Sequence, residues 1–133
     1  MAERIKTFRD LIAWQKAMLL AERIYKVTAA MPESEKFGLT HQMRRAAVSI
    51  PSNIAEGYAR QTTADYIKFL RTARGSLAEL LTQTLIALNL NLIPRDDSTL
   101  DLLHEVDRIL QGLIRSLELK ATKSKRAAGP ATL

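Results

Sequence analysis

The fold turns on residues 44–60, "RRAAVSIPSNIAEGYAR". The segment has the periodicity of an amphipathic helix, yet Pro51 stands in its middle. Proline lacks the backbone donor that would reach the carbonyl of Ala47, and its ring crowds that carbonyl, at a cost of about 3 kcal/mol in a helix interior. A helix that ends at Ile50 and restarts at Pro51 is one solution. A continuous helix kinked at Pro51 is the other, and the phase of the side chains favours it. At 100° per residue, Arg45, Ser49, Asn53, Glu56 and Arg60 fall within about 60° of Gln42 across the proline. Met43, Ala46, Ile50, Ile54 and Gly57 hold an apolar stripe a quarter-turn away. A chain break would reset both. On this wheel Pro51 sits away from both stripes, with Ser49 and Ser52 placed to bond the freed backbone groups.

Three further segments carry the same period. Leu11, Trp14, Met18, Ala21, Tyr25 and Thr28 form a stripe in a first helix, with Trp14 as a core anchor. "PESEKFG" (32–38) then connects to the second helix. Thr62 or Thr63 is placed to cap a third helix, with Asp65 in its first turn. Its stripe is Ile67, Leu70, Leu77, Leu81, Thr84 and Leu88, widened by Phe69, Ala73, Leu80 and Ala87. Asp97 or Ser98 is placed to cap a fourth, with Leu103, Val106, Leu110, Leu113 and Leu117 on one face. Helices are expected near 9–30, 36–60, 64–91 and 98–119. The expected fold is all-α, an antiparallel up-down four-helix bundle over residues 1–119 whose second helix is kinked at a proline. The wide apolar faces of the third helix, and Ile12, Ile24, Leu92 and Ile93, which look exposed, exceed what that core requires and are expected to mark an interface.

Small residues crowd the second helix, and Gly75 interrupts the third. Glycine there costs about 1 kcal/mol relative to alanine, so close packing within the bundle or against another subunit is expected. Residues 120–133, "KATKSKRAAGPATL", contain Lys120, Lys123, Lys125 and Arg126 without an acid, and so supply four of the six net positive charges. With few apolar groups to offset the entropy of ordering, this tail is expected to be disordered.

The 133-residue chain is 47% apolar and contains no cysteine, which excludes disulfides, thiolate metal sites and cysteine nucleophiles. The charged start and the lack of a long apolar run point to a cytoplasmic protein without a membrane partner. Neither His41 nor His104 follows a glutamate by three residues, so the di-metal pattern of helical bundles is absent. No glycine-rich phosphate loop or nucleophile elbow occurs. Glu56 and Glu79 are better explained as salt-bridge partners of Arg45, Arg60 or Arg74 than as an acid-base pair. No catalytic residue, metal ligand or cofactor is expected, and the chain reads as a non-enzyme.

"FRDLIAWQKA" (8–17), "FGLTHQMRRAAVSIPSNIAEGYAR" (37–60) and "YIKFLRTARGSLAEL" (66–80) together resemble the bacterial 23S rRNA intervening-sequence proteins, over residues 8 to about 117. The resemblance implies an antiparallel four-helix bundle assembled into a homopentameric ring. That fold is similar to the accessory proteins of diversity-generating retroelements, which partner a reverse transcriptase and nucleic acid. Two functions are therefore expected in competition. One is sequence-independent binding of RNA or DNA through Arg44, Arg45, Arg60, Lys68, Arg71 and Arg74, helped by the basic tail. The other is a scaffold for a protein partner, with Gln42, Ser49, Asn53 and Glu56 in a polar stripe or subunit interface.

Overall fold

The computed structural model describes residues 4–128. Its helices are α1 (Ile12–Thr28), α2 (Leu39–Tyr58), α3 (Thr63–Asn89) and α4 (Asp97–Ala128), with 3-10 turns at Phe8–Asp10 and Glu33–Glu35. Each helix packs on its two neighbours: α1 on α2 and α4, α3 on α2 and α4. The four therefore stand at the corners of a square, with α1 and α3 on one diagonal.

Local chemistry sets the ends. Thr7 and Asp10 form a reciprocal capping box over the first 3-10 turn. Two backbone N–H groups, of Lys6 and Thr7, donate to the Asp10 carboxylate and hold it below the usual carboxylate range. Thr62 Oγ1 accepts from Asp65 N at 3.1 Å, as the sequence predicts. The fourth helix starts one residue earlier than expected: Asp96, in place of Asp97 or Ser98, accepts from Ser98 N at 2.9 Å. Two residues past the end of α3, Asn91 takes the left-handed conformation at φ 57°. The Asn91 and Leu92 N–H groups then return to Leu88 and Ala87, which satisfies the last carbonyls.

Pro51 lies inside α2, as its phase predicts. Its position on the helix differs from the expectation, because Pro51 and Ala47 are both buried. With α3 on one side and α1 on the other, α2 has two buried arcs, and the proline falls in the second. Around it, side chains take backbone acceptors: Ser52 Oγ donates to Val48 O at 2.7 Å, and Asn53 Nδ2 to Ser49 O at 2.8 Å.

The core is Ala13, Ala17, Leu20 and Ile24 of α1, Met43, Ile50 and Ile54 of α2, Leu70, Ala73, Leu77 and Leu80 of α3, and Leu103, Val106, Leu110 and Ile114 of α4. The inward face of α1 is thus rotated from the expected stripe. Alanines point inward and bring α1 close to its neighbours, while Trp14 and Met18 are only half-buried and Tyr25 is exposed. Ile24 and Ile93, expected to be exposed, are buried, Leu92 is half-buried, and Ile12 is exposed as expected.

Two glycines behave oppositely. A Cβ on Gly57 would lie 2.7 Å from Phe69 Cβ and 3.2 Å from Tyr66 O, so this is where α2 and α3 approach most closely. A Cβ on Gly75 would meet nothing within 4 Å, which corrects the expectation of intrachain packing there. The C-terminal expectation is also corrected. Helix α4 continues through Ala128, past the expected end at 119, because Lys, Ala and Arg are good helix formers and no glycine or proline intervenes before Gly129. The rest of the expected disordered tail, 129–133, lies outside the described residues.

Candidate functional site

The six basic residues singled out in the sequence do not form one free surface. Arg44 is half-buried, donates to Thr28 Oγ1 at 2.9 Å and Tyr25 O at 3.3 Å, and stacks 4.6 Å from the Tyr25 ring. It ties α2 to the end of α1. Arg60 pairs with Glu56 at 3.1 Å and lies 4.5 Å from the Phe69 ring. Arg71 pairs with Glu118, and Arg74 with Asp107 at 2.9 Å, so both bridge α3 to α4. Among the described residues, only Arg45 and Lys68 of the six lack a carboxylate or ring partner.

The polar stripe of α2 faces α3. Gln42, Arg45 and Ser49 line a cavity of about 450 Å³ with Ser76, Glu79 and Gln83. The Ser49 and Ser76 hydroxyls are 2.8 Å apart, and Asn53 Nδ2 lies 3.0 Å from Ser49 Oγ. Glu56 is drawn to Arg60 instead, so the stripe divides between a hydrogen-bonded seam and a surface ion pair. Among the described residues, no three His, Asp or Glu side chains converge in a metal-binding group. None of the described helices is long and apolar enough to cross a membrane.

Two apolar surfaces are uncovered, and the sequence points only to an excess apolar face on the third helix, without the residues that form it. The first is a groove of about 620 Å³ between α1 and α2, walled by Phe8, Trp14, Met18, Tyr25, Val48 and Pro51. Phe8 packs edge-on against Trp14 with ring centroids 5.2 Å apart and closes one end. The residues read as the buried stripe of α1 are its wall, and Pro51 is its floor. The second feature is the outer face of α3, where Leu85, Ile86 and Leu90 are 42%, 43% and 61% exposed. Gly75 and Ala78, also exposed, continue this face with small residues.

At the α2–α3 contact, the Tyr66 hydroxyl is buried without a hydrogen-bond partner. Burial, and to a smaller extent the neighbouring Tyr58, pushes its phenol up to about 12. The fold keeps the proton that the unfolded chain releases near pH 10, so stability should be undiminished below pH 10 and fall as pH rises from 10 to 12. Absorbance titration at 295 nm should show a tyrosine step at about 12. Tyr66→Phe should remove both that late step and its share of the alkaline loss; a parent titration without a step at about 12 would contradict this assignment.

Four antiparallel helices around a single core, with an apolar groove on one side and an apolar ridge on another, define a helical bundle with uncovered packing surfaces. The chain belongs to the 23S rRNA-intervening sequence protein family, whose model matches residues 9–115. Among solved structures it is similar to a protein of unknown function from the S23 ribosomal protein family of Bacteroides thetaiotaomicron VPI-5482. The two are 24% identical, the match covers 77% of this chain and 98% of that one, and the TM-score is 0.72. That likeness concerns the fold. No curated protein matches the chain.

Proposed function

We propose that this protein is a non-enzymatic, self-assembling scaffold, in which the α3 ridge of one protomer seats in the α1–α2 groove of the next. The observation that carries this reading is the presence of two uncovered apolar surfaces on different sides of one bundle. Exposed apolar patches of this kind mark interaction sites. Because α1 and α3 occupy opposite corners, one protomer cannot bring its own ridge to its own groove. Two copies joined through one such contact would leave a ridge and a groove unused. Head-to-tail contacts use both surfaces on every copy when the rotation between neighbours closes them into a ring. Gly75 supports this reading, since open space over a helical glycine lets another helix approach closely.

A homopentamer is the ring size that the family resemblance implies. Light scattering after gel filtration tests the reading: the expected particle is five times the 14.9 kDa protomer. A well-folded monomer at micromolar concentration would refute it. Engagement of four of the six expected basic residues within the chain favours the scaffold over nucleic-acid binding through the α2–α3 face.

A further inference from the structure

We infer that the outward face of α4 is a binding surface for the phosphate backbone of duplex nucleic acid. The inference does not depend on the ring. It begins with an asymmetry in how charge is used. From Asp107 to the end of α4 there are two acids, Asp107 and Glu118, and both turn toward α3 and neutralise Arg74 and Arg71. The cations lie about 60–160° round the helix from these two acids, and the nearest acid on their own line, Asp101, stands two turns before Arg108. Arg108, Arg115, Lys123 and Arg126 are exposed, and none has a carboxylate within ion-pair distance among the described residues.

Helix continuity turns these charges into a line. At 100° per residue, Arg108, Arg115 and Arg126 lie within about 20° of one another, and Lys123 lies about 60° to one side. At 1.5 Å per residue the line from Arg108 to Arg126 is about 27 Å long, most of one duplex turn. The segment beyond Leu119 matters here because it is helical: a coil would not hold Lys123 and Arg126 in phase with Arg108 and Arg115.

The chemistry selects the partner. Guanidinium forks suit phosphate oxygens. No phenylalanine, tyrosine or tryptophan lies on α4, so a single strand would find no row of stacking platforms there. A membrane surface would need an apolar face opposite the charges, and beyond Leu119 only alanines are apolar before Gly129. A rigid row of cations one helix wide matches the backbone of a duplex, and it carries no feature that would read sequence.

The full-length protein should be titrated with a 24-base-pair duplex, as DNA and as RNA, across a salt series by fluorescence anisotropy. With about four phosphate contacts, affinity should fall about a hundredfold between 50 and 200 mM salt and be similar for unrelated sequences. Changing Arg108, Arg115, Lys123 and Arg126 together to glutamine should abolish most of that affinity and flatten the slope. R71Q/R74Q should bind like the parent. On the parent itself, duplex should shield Lys123 from acetylation and leave Lys16 and Lys68 reactive, a readout that does not rely on the fold of any variant. Absence of duplex binding, unchanged binding by the quadruple variant, or protection of Lys68 in place of Lys123 would overturn the inference. Equal binding to anionic vesicles or to polyglutamate would overturn it in favour of a surface without selectivity. Light scattering on the same samples separates it from the scaffold reading: the quadruple variant should assemble as the parent does.

Discussion

A single Ile86→Asp substitution should convert the assembly into folded protomers. Ile86 is 43% exposed on the outer face of α3, so a carboxylate there remains hydrated in the isolated chain and leaves the core intact. In the proposed ring the same position enters the groove formed by Trp14, Met18 and Val48, which is almost wholly apolar. A charge buried there without a partner costs several kcal/mol, enough to weaken each contact about a hundredfold or more. Light scattering should report protomer mass, while the helical spectrum and thermal midpoint of the protomer persist. Val48→Asp on the opposite surface should do the same, and mixing the two variants should not restore full rings, since every copy needs both surfaces. An Ile86→Asp protein of unchanged assembly mass would remove the ridge from the interface.

The largest effect on folding should come from Gly57→Leu. Its Cβ alone would sit 2.7 Å from Phe69 Cβ, and Tyr66 bounds the remaining space at 3.1 Å through a ring carbon and 3.2 Å through its backbone oxygen. Backbone cannot yield as a flexible side-chain end does, so α2 and α3 must separate. Overpacking of this kind costs about 1–3 kcal/mol for a small excess and more for a branched side chain. For a domain of this size the thermal midpoint should fall by about 10 °C or more. Gly57→Ala should show a reduced loss, because alanine recovers about 1 kcal/mol of helix propensity. Gly75→Ala is the contrast: with open space around it, the same gain in propensity should stabilise the protomer by about 1 kcal/mol. A Gly57→Leu protein that melts with the parent would show that the α2–α3 contact is looser than described.

Much of this molecule was legible in one dimension. Phase across Pro51 placed the proline within a continuous helix, since no chain break resets the apolar stripe. Thr62 announced the start of α3, because a cap is a local contact between a hydroxyl and a backbone donor two or three residues away. Four apolar stripes with short connections settled the bundle, because an amphipathic helix must bury one face and the connections leave few arrangements. Periodicity also found Met43, Ile50, Ile54, Leu70, Leu77, Val106 and Leu110 in the core.

What a helix does with its other faces was decided only by its neighbours. The wheel places Pro51 away from the apolar stripe, yet α1 covers that side and buries it. The same contact turned Ala13 and Ala17 inward and left Trp14 and Met18 as groove walls, an outcome that hydrophobicity cannot anticipate because alanines admit closer helices than tryptophan does. Charge followed the same rule. Arg71 and Arg74 look like a basic face when α3 is read alone, and Arg108 and Arg115 look unremarkable among their acidic neighbours. Once α4 packs beside α3, Glu118 and Asp107 are drawn across the seam, the α3 arginines are neutralised, and the outer cations of α4 are left in line. Sequence fixes the period and the ends of each helix because these depend on residues within a few positions of one another. Which side chains remain for a partner depends on pairings between residues 33 and 47 positions apart, and those exist only in the folded bundle.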